Sequence, residues 1–152
     1  MYFVNRKKIE DTLFHMEKTL THFRSKENWT TPIEMYALER MVHLVIESII
    51  DVGNSMIDGF IMRDPGSYED IIDILEDEKV VDKSSANALK QVIHCRKALV
   101  QDYIELNHEK LKQTFEQSME ALVAFPSAVR RYLNHELGPV SAFLPEEKES
   151  EK

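Results

Sequence analysis

The sequence is poor in cysteine, glycine and proline, and it has no long apolar run. One cysteine, Cys95, excludes an internal disulfide framework and a zinc site built on several cysteines. Four glycines and five prolines in 152 residues are about half the usual share of the two. Turn-rich β-sandwiches, collagen and low-complexity chains are thereby excluded. The opening Met1-Tyr2-Phe3-Val4-Asn5-Arg6-Lys7-Lys8 has no apolar stretch behind its basic residues, so it does not read as a signal peptide. The most apolar region, Met41 to Met62, is interrupted by His43, Glu47, Asp51, Asn54 and Asp58 and is too polar to span a bilayer. The expectation is a cytoplasmic protein with no membrane partner. There is no glycine-rich phosphate loop and no Gly-x-Ser-x-Gly. A di-iron bundle needs two Glu-x-x-His elements, and only Glu105-Leu106-Asn107-His108 is found. No metal and no cofactor is therefore expected. Nineteen basic against 27 acidic residues give a net charge of -8. Contact with RNA then requires a local basic patch, because the overall field repels phosphates.

What the chain does contain is helical periodicity from end to end. Ile9, Leu13, Met16, Leu20 and Phe23 recur at steps of three and four, which predicts a first helix from Asn5 to Ser25. Thr31 followed by Pro32 starts a second helix that meets no stop signal before Phe60. Arg63-Asp64-Pro65-Gly66 is a turn, and Ser67 caps a short helix ending near Lys79. A fourth, long helix begins at Asp82 to Ser85 and carries Leu89 through Leu106. A fifth segment holds Leu111, Phe115, Leu122 and Phe125, is broken by Pro126, and is followed by a short helix over Ala128 to Leu137. The fold class expected is all-α, an antiparallel four-helix bundle with additional short helices. Residues 1–143 form one domain, and the charged tail 144–152 lacks the apolar content to order itself.

Two polar features interrupt the apolar helices. On the second helix Arg40, His43, Glu47, Asp51, Asn54 and Asp58 form one stripe. It is either the solvent face or the lining of an internal or interfacial cleft. His43 and Glu47, four residues apart, read as an ordinary polar pair. On the fourth helix, treated as straight, Arg96 and Tyr103 stand two turns apart within the apolar stripe of Leu89, Val92, Leu99, Val100 and Leu106. A buried guanidinium keeps its charge and needs a carboxylate, for which Glu47 and Asp51 are the best placed. The alternatives are a structural ion pair, an Arg96 that snorkels to the bundle edge, and a pair that is part of a site.

Arg96-Lys97-Ala98-Leu99-Val100-Gln101-Asp102-Tyr103 resembles the signature of HepT-like proteins in the HEPN superfamily, which is Arg, four residues, His, one residue, Tyr. Leu38-Glu39-Arg40 with Glu47 and Asp51 is similar to the family's second helix. Gly66 to Leu75, followed by Val80-Val81, resembles its bridging helix and the turn after it. The resemblance implies a HEPN-type bundle forming a homodimer, in which the signature residues of two protomers meet in a cleft and cut RNA without a metal. It also implies a nucleotidyltransferase antitoxin that silences the toxin by adenylylating the signature tyrosine. Carried over by position, Arg96 binds the scissile phosphate, Tyr103 is the modification target, and Glu47 and Asp51 orient Arg96.

The sequence departs from the signature at Gln101, which occupies the histidine position, and at Lys97, where a neutral polar residue is more usual. A glutamine amide hydrogen-bonds but transfers no proton near neutral pH. His94 and His108 each lie seven residues from Gln101 and are candidates to replace it. On a straight helix, Arg96 and position 101 point apart and meet only if the helix bends or a second protomer contributes. Lys110, Lys112, Arg130 and Arg131 supply the basic patch if they gather near Arg96. The alternatives are a non-catalytic scaffold or interaction protein, which Gln101 favours, and a nucleotide or small-ligand module using the polar stripe.

Overall fold

The computed structural model describes residues 3–138. The tail 144–152 lies outside them, as do residues 1, 2 and 139–143 of the expected domain. Helix α1 spans Arg6–Arg24, capped by Asn5, whose side chain accepts from the Lys8 N–H. Helix α2 spans Pro32–Gly59, 28 residues and about 40 Å of rise. It starts in a reciprocal capping box: Glu34 N–H donates to the Thr31 hydroxyl, and the Glu34 carboxylate accepts from the Thr31 N–H. Helix α3, Tyr68–Asp77, is capped by Ser67, and α4, Lys83–His94, by Asp82. Helix α5 is the single turn Arg96–Val100. A 3-10 turn at Tyr103–Glu105 leads to α6, His108–Gln117, and α7, Met119–Leu137.

The architecture is the expected all-α bundle. Helix α1 packs on α2 and α7, α4 packs on α7 and α3, and α6 closes against α2, α4 and α7. One continuous core runs through it, with Leu13, Met16, Ile46, Met56, Leu89 and Leu122 removed from water. Gly53 lets α3 press onto α2, since a Cβ there would run into a methyl of Ile71. Ser48 and Thr19, both buried, donate back to carbonyls of their own helices, Leu44 and His15.

Three expected boundaries are corrected. The fourth helix is not one straight rod to Leu106. It is interrupted at Cys95, whose N–H reaches back only three residues to the Val92 carbonyl, and it ends at Val100. There the N–H groups of Gln101 and Asp102 both converge on the Lys97 carbonyl. Asn107 then caps a fresh helix by accepting from the Lys110 N–H, so the chain restarts rather than continues. Pro126 does not end a helix, because α7 runs through it. Burial of Leu122, Phe125, Pro126 and Val129 offsets the roughly 3 kcal/mol that an interior proline costs. The break falls instead at Ser118, whose N–H is shared by the Thr114 and Phe115 carbonyls.

The caps carry a pH signature. Lys26 above all, then the Thr31 and Thr30 N–H groups, lower the Glu34 carboxyl from 4.5 to about 2. The Arg63 fork, then the Gly66 N–H, lower Asp70 from 3.8 to about 2. Both folded values lie below the unfolded ones. Their stabilisation is therefore fully present above the unfolded carboxylate range and is lost as pH falls through it toward 2. Thermal melts are expected to show a falling Tm between about pH 4 and pH 2, and Glu34→Gln with Asp70→Asn should flatten that fall. An unchanged slope in the double variant would refute the assignment.

Candidate active site

Arg96 opens α5 directly after the Cys95 interruption, where α5 meets α2. Its Nε donates to Glu47 Oε2 at 2.7 Å, and its guanidinium lies over the Tyr68 ring, 4.5 Å from the centroid. The hydrogen bond that Arg96 donates to Glu47 raises its pKa, burial opposes this, and the charge is permanent. Held by Nε on one side and by an aromatic face on another, the guanidinium keeps both Nη groups without an acceptor among the described residues. A quarter of the side chain is exposed. The open edge is the planar fork that matches two oxygens of a phosphate.

Glu47 is thus brought to Arg96. Asp51, one turn further along α2, is exposed and has no hydrogen bond or ion pair among the described residues. Gln101 is the exposed C-cap of α5, its side chain without a protein partner among those residues. Tyr103 is 61% exposed, beside Ile104 at 86% and Val100 at 39%. The end of α5 therefore presents an apolar surface with a phenol in it.

Neither histidine weighed as a replacement for position 101 stands on Arg96. His94 Nδ1 lies 3.0 Å from Glu69, and His108 Nε2 lies 2.6 Å from Glu39. Glu39 is eight residues before Glu47, about 12 Å along α2. The histidine that does approach is His43, with Nε2 at 3.6 Å from Glu47 Oε2, the oxygen that receives Arg96. Tyr68 is the other participant that sequence reasoning missed. Its position after the Ser67 cap was legible, but its contact with a helix 28 residues away was not.

The expected basic patch is only partly assembled. Arg130 is locked by two forks to Glu10 and Glu17 on α1, which hold its pKa above the ordinary value. Lys112 stands 3.9 Å from Glu116. Arg131, with Lys79 and Lys83, lines a groove of about 530 Å³ at the opposite end of α4, a surface that includes neither Arg96 nor Tyr103. Lys110 alone reaches the Arg96 end, where its charge acts on Cys95; burial pushes that thiol up and Lys110 opposes it. A raised thiol pKa makes Cys95 a poor nucleophile. Among the described residues no three metal-ligating side chains cluster, and no helix is long and apolar enough to cross a membrane.

The bundle and the Arg96–Glu47 pair at the α2–α5 contact define the class as an all-α helical bundle with a candidate anion-binding edge. The comparisons sharpen that class. Residues 9–129 match the family model described as "Ribonuclease HepT-like", and the chain belongs to the HepT-like family. It is 52% identical over 143 residues to the Bacillus subtilis (strain 168) protein named "Putative RNase YutE", covering 94% of this chain and 99% of that one. The solved structure of YutE from Bacillus subtilis, described as a cytosolic protein of unknown function, superposes with a TM-score of 0.91 over 94% of this chain and all of that one. Two toxin–antitoxin structures share the fold at 16% and 17% identity. One is described as a toxin-antitoxin with AMP-PNP, with a TM-score of 0.70, covering 82% of this chain and 96% of that one. The other is a tri-AMPylated Shewanella oneidensis HEPN toxin in complex with MNT antitoxin, with a TM-score of 0.69, covering 82% and 95%.

Proposed function

We propose that this chain is the toxin-type member of a toxin–antitoxin pair, a cytoplasmic homodimer that cleaves RNA without a metal. The observation that carries this reading is the guanidinium of Arg96, oriented by Glu47 and Tyr68, with its two Nη groups lacking an acceptor among the described residues. A phosphodiester bound there gains charge stabilisation where it is needed, on the non-bridging oxygens of the transition state. The apolar surface of Val100 and Ile104 is the contact between protomers, bringing Gln101, Tyr103 and Asp51 of each to a shared cleft. Lys97 and Lys110 supply local positive charge on an acidic protein. The antitoxin is a nucleotidyltransferase. The exposed Tyr103 hydroxyl is its acceptor, and the added phosphate introduces negative charge beside the RNA path. The HepT-like family match and the AMPylated toxin among the fold neighbours support this partner.

The test is incubation of the purified protein with RNA in excess chelator. Cleavage is expected to persist. RNA binding without cleavage would instead favour a non-catalytic interaction protein, the reading that Gln101 supports. In that case Gln101→His is expected to create cleavage, since it restores a proton carrier at the signature position.

A further inference from the structure

Cleavage through the 2′-hydroxyl needs a group that accepts its proton near neutral pH. Gln101 cannot do this. We propose that His43 is that proton acceptor, joined to Arg96 through the carboxylate they share. This rests on the RNA-cleaving reading and adds a residue that the signature does not contain.

His43 Nε2 and Arg96 Nε approach the same atom, Glu47 Oε2, at 3.6 and 2.7 Å. The two nitrogens are therefore no farther apart than those distances laid end to end. In this assignment a phosphodiester held by the Nη groups of Arg96 turns its 2′-hydroxyl toward Nδ1, the ring nitrogen that Glu47 does not face. His43 keeps 27% of its side chain exposed, so solvent and substrate reach it. The arrangement also sets its tautomer. A carboxylate facing Nε2 favours the proton on that nitrogen and leaves the lone pair on Nδ1, the logic by which an acidic residue orients a catalytic imidazole. At 3.6 Å the contact is longer than a hydrogen bond, as catalytic contacts in apo structures often are. The other two histidines near this end are engaged by Glu69 and Glu39, carboxylates that do not touch Arg96.

The step balances with water alone. The 2′-hydroxyl gives its proton to His43 Nδ1 as the O2′–P bond forms. The P–O5′ bond breaks, and the 5′-oxygen leaves with a proton from the imidazolium or from water. A 2′,3′-cyclic phosphate and a 5′-hydroxyl result. Arg96 holds the non-bridging oxygens, while Glu47 orients both partners without touching substrate.

The experiment compares wild type, His43→Gln, His43→Ala, His94→Gln and His108→Gln on one RNA, with a melting curve for each. His43→Gln should cut the cleavage rate by about 10²–10⁴-fold while RNA affinity is kept, because Arg96 is intact. Added imidazole should recover part of the rate in His43→Ala, which a merely structural role would not permit. His94→Gln and His108→Gln should retain the wild-type rate. Wild-type cleavage that persists unchanged in His43→Gln, or is abolished by His94→Gln or His108→Gln instead, overturns the assignment of His43 and leaves the RNA-cleaving reading standing. A folded wild-type protein that cuts no RNA overturns both.

Discussion

Arg96→Ala is expected to reduce RNA cleavage by about 10²–10³-fold, the usual loss when one preorganised donor to a developing anion is removed. The fold should survive, because Arg96 and Glu47 are each about a quarter to a third exposed and water takes up the carboxylate left behind. A pair this accessible contributes up to about 1 kcal/mol. The expected result is thus a large loss of activity with only a small change in Tm. Arg96→Lys should recover little, since a point charge cannot stack on Tyr68 and still offer a planar fork. Cleavage kinetics beside a thermal melt check both halves. A variant that cuts RNA at the wild-type rate would remove Arg96 from the mechanism, and one that fails to fold would make its role structural.

Phe115→Ala should have the largest effect on stability, about 3–5 kcal/mol. The ring is 1% exposed and meets Phe23 edge-on with centroids 4.8 Å apart. Helix α6 buries only Leu111 and Phe115 among its ten residues, so losing the ring undocks the helix as well as leaving a cavity. The Tm should fall by roughly 10 °C, read by circular dichroism. Because α6 anchors the chain just after the 3-10 turn, Tyr103 should become more accessible to proteolysis or modification in this variant. A shift of only a degree or two would mean that the core closes over the vacancy without α6.

Much of the candidate site was legible along the chain because charge on an apolar helix demands a partner. From that rule alone Arg96 had two candidate partners, Glu47 and Asp51. Tyr68 and His43 could not be found that way. Each looks locally ordinary, one a residue after a cap and the other half of an i, i+4 pair. Their relation to Arg96 depends on how α2, α3 and α5 cross, and pairwise spacing within one helix carries no information about that. The straight fourth helix failed for a related reason. Periodicity registers which positions are apolar, and Leu99 and Leu106 remain packed on the core on both sides of the break at Gln101. Periodicity is therefore nearly blind to an interruption that preserves burial. Pro126 failed in the opposite direction, as a local rule overridden by tertiary packing.

By itself the sequence determined the helical class, the caps at Thr31, Ser67 and Asp82, and the need of Arg96 for a carboxylate. These rest on interactions within a few residues, where backbone geometry leaves little choice. Only the tertiary structure decided that Glu47 rather than Asp51 answers Arg96, that Tyr68 supports it, and that His43 shares its carboxylate. Those outcomes depend on the crossing of helices distant in sequence, which the packing of the whole core selects.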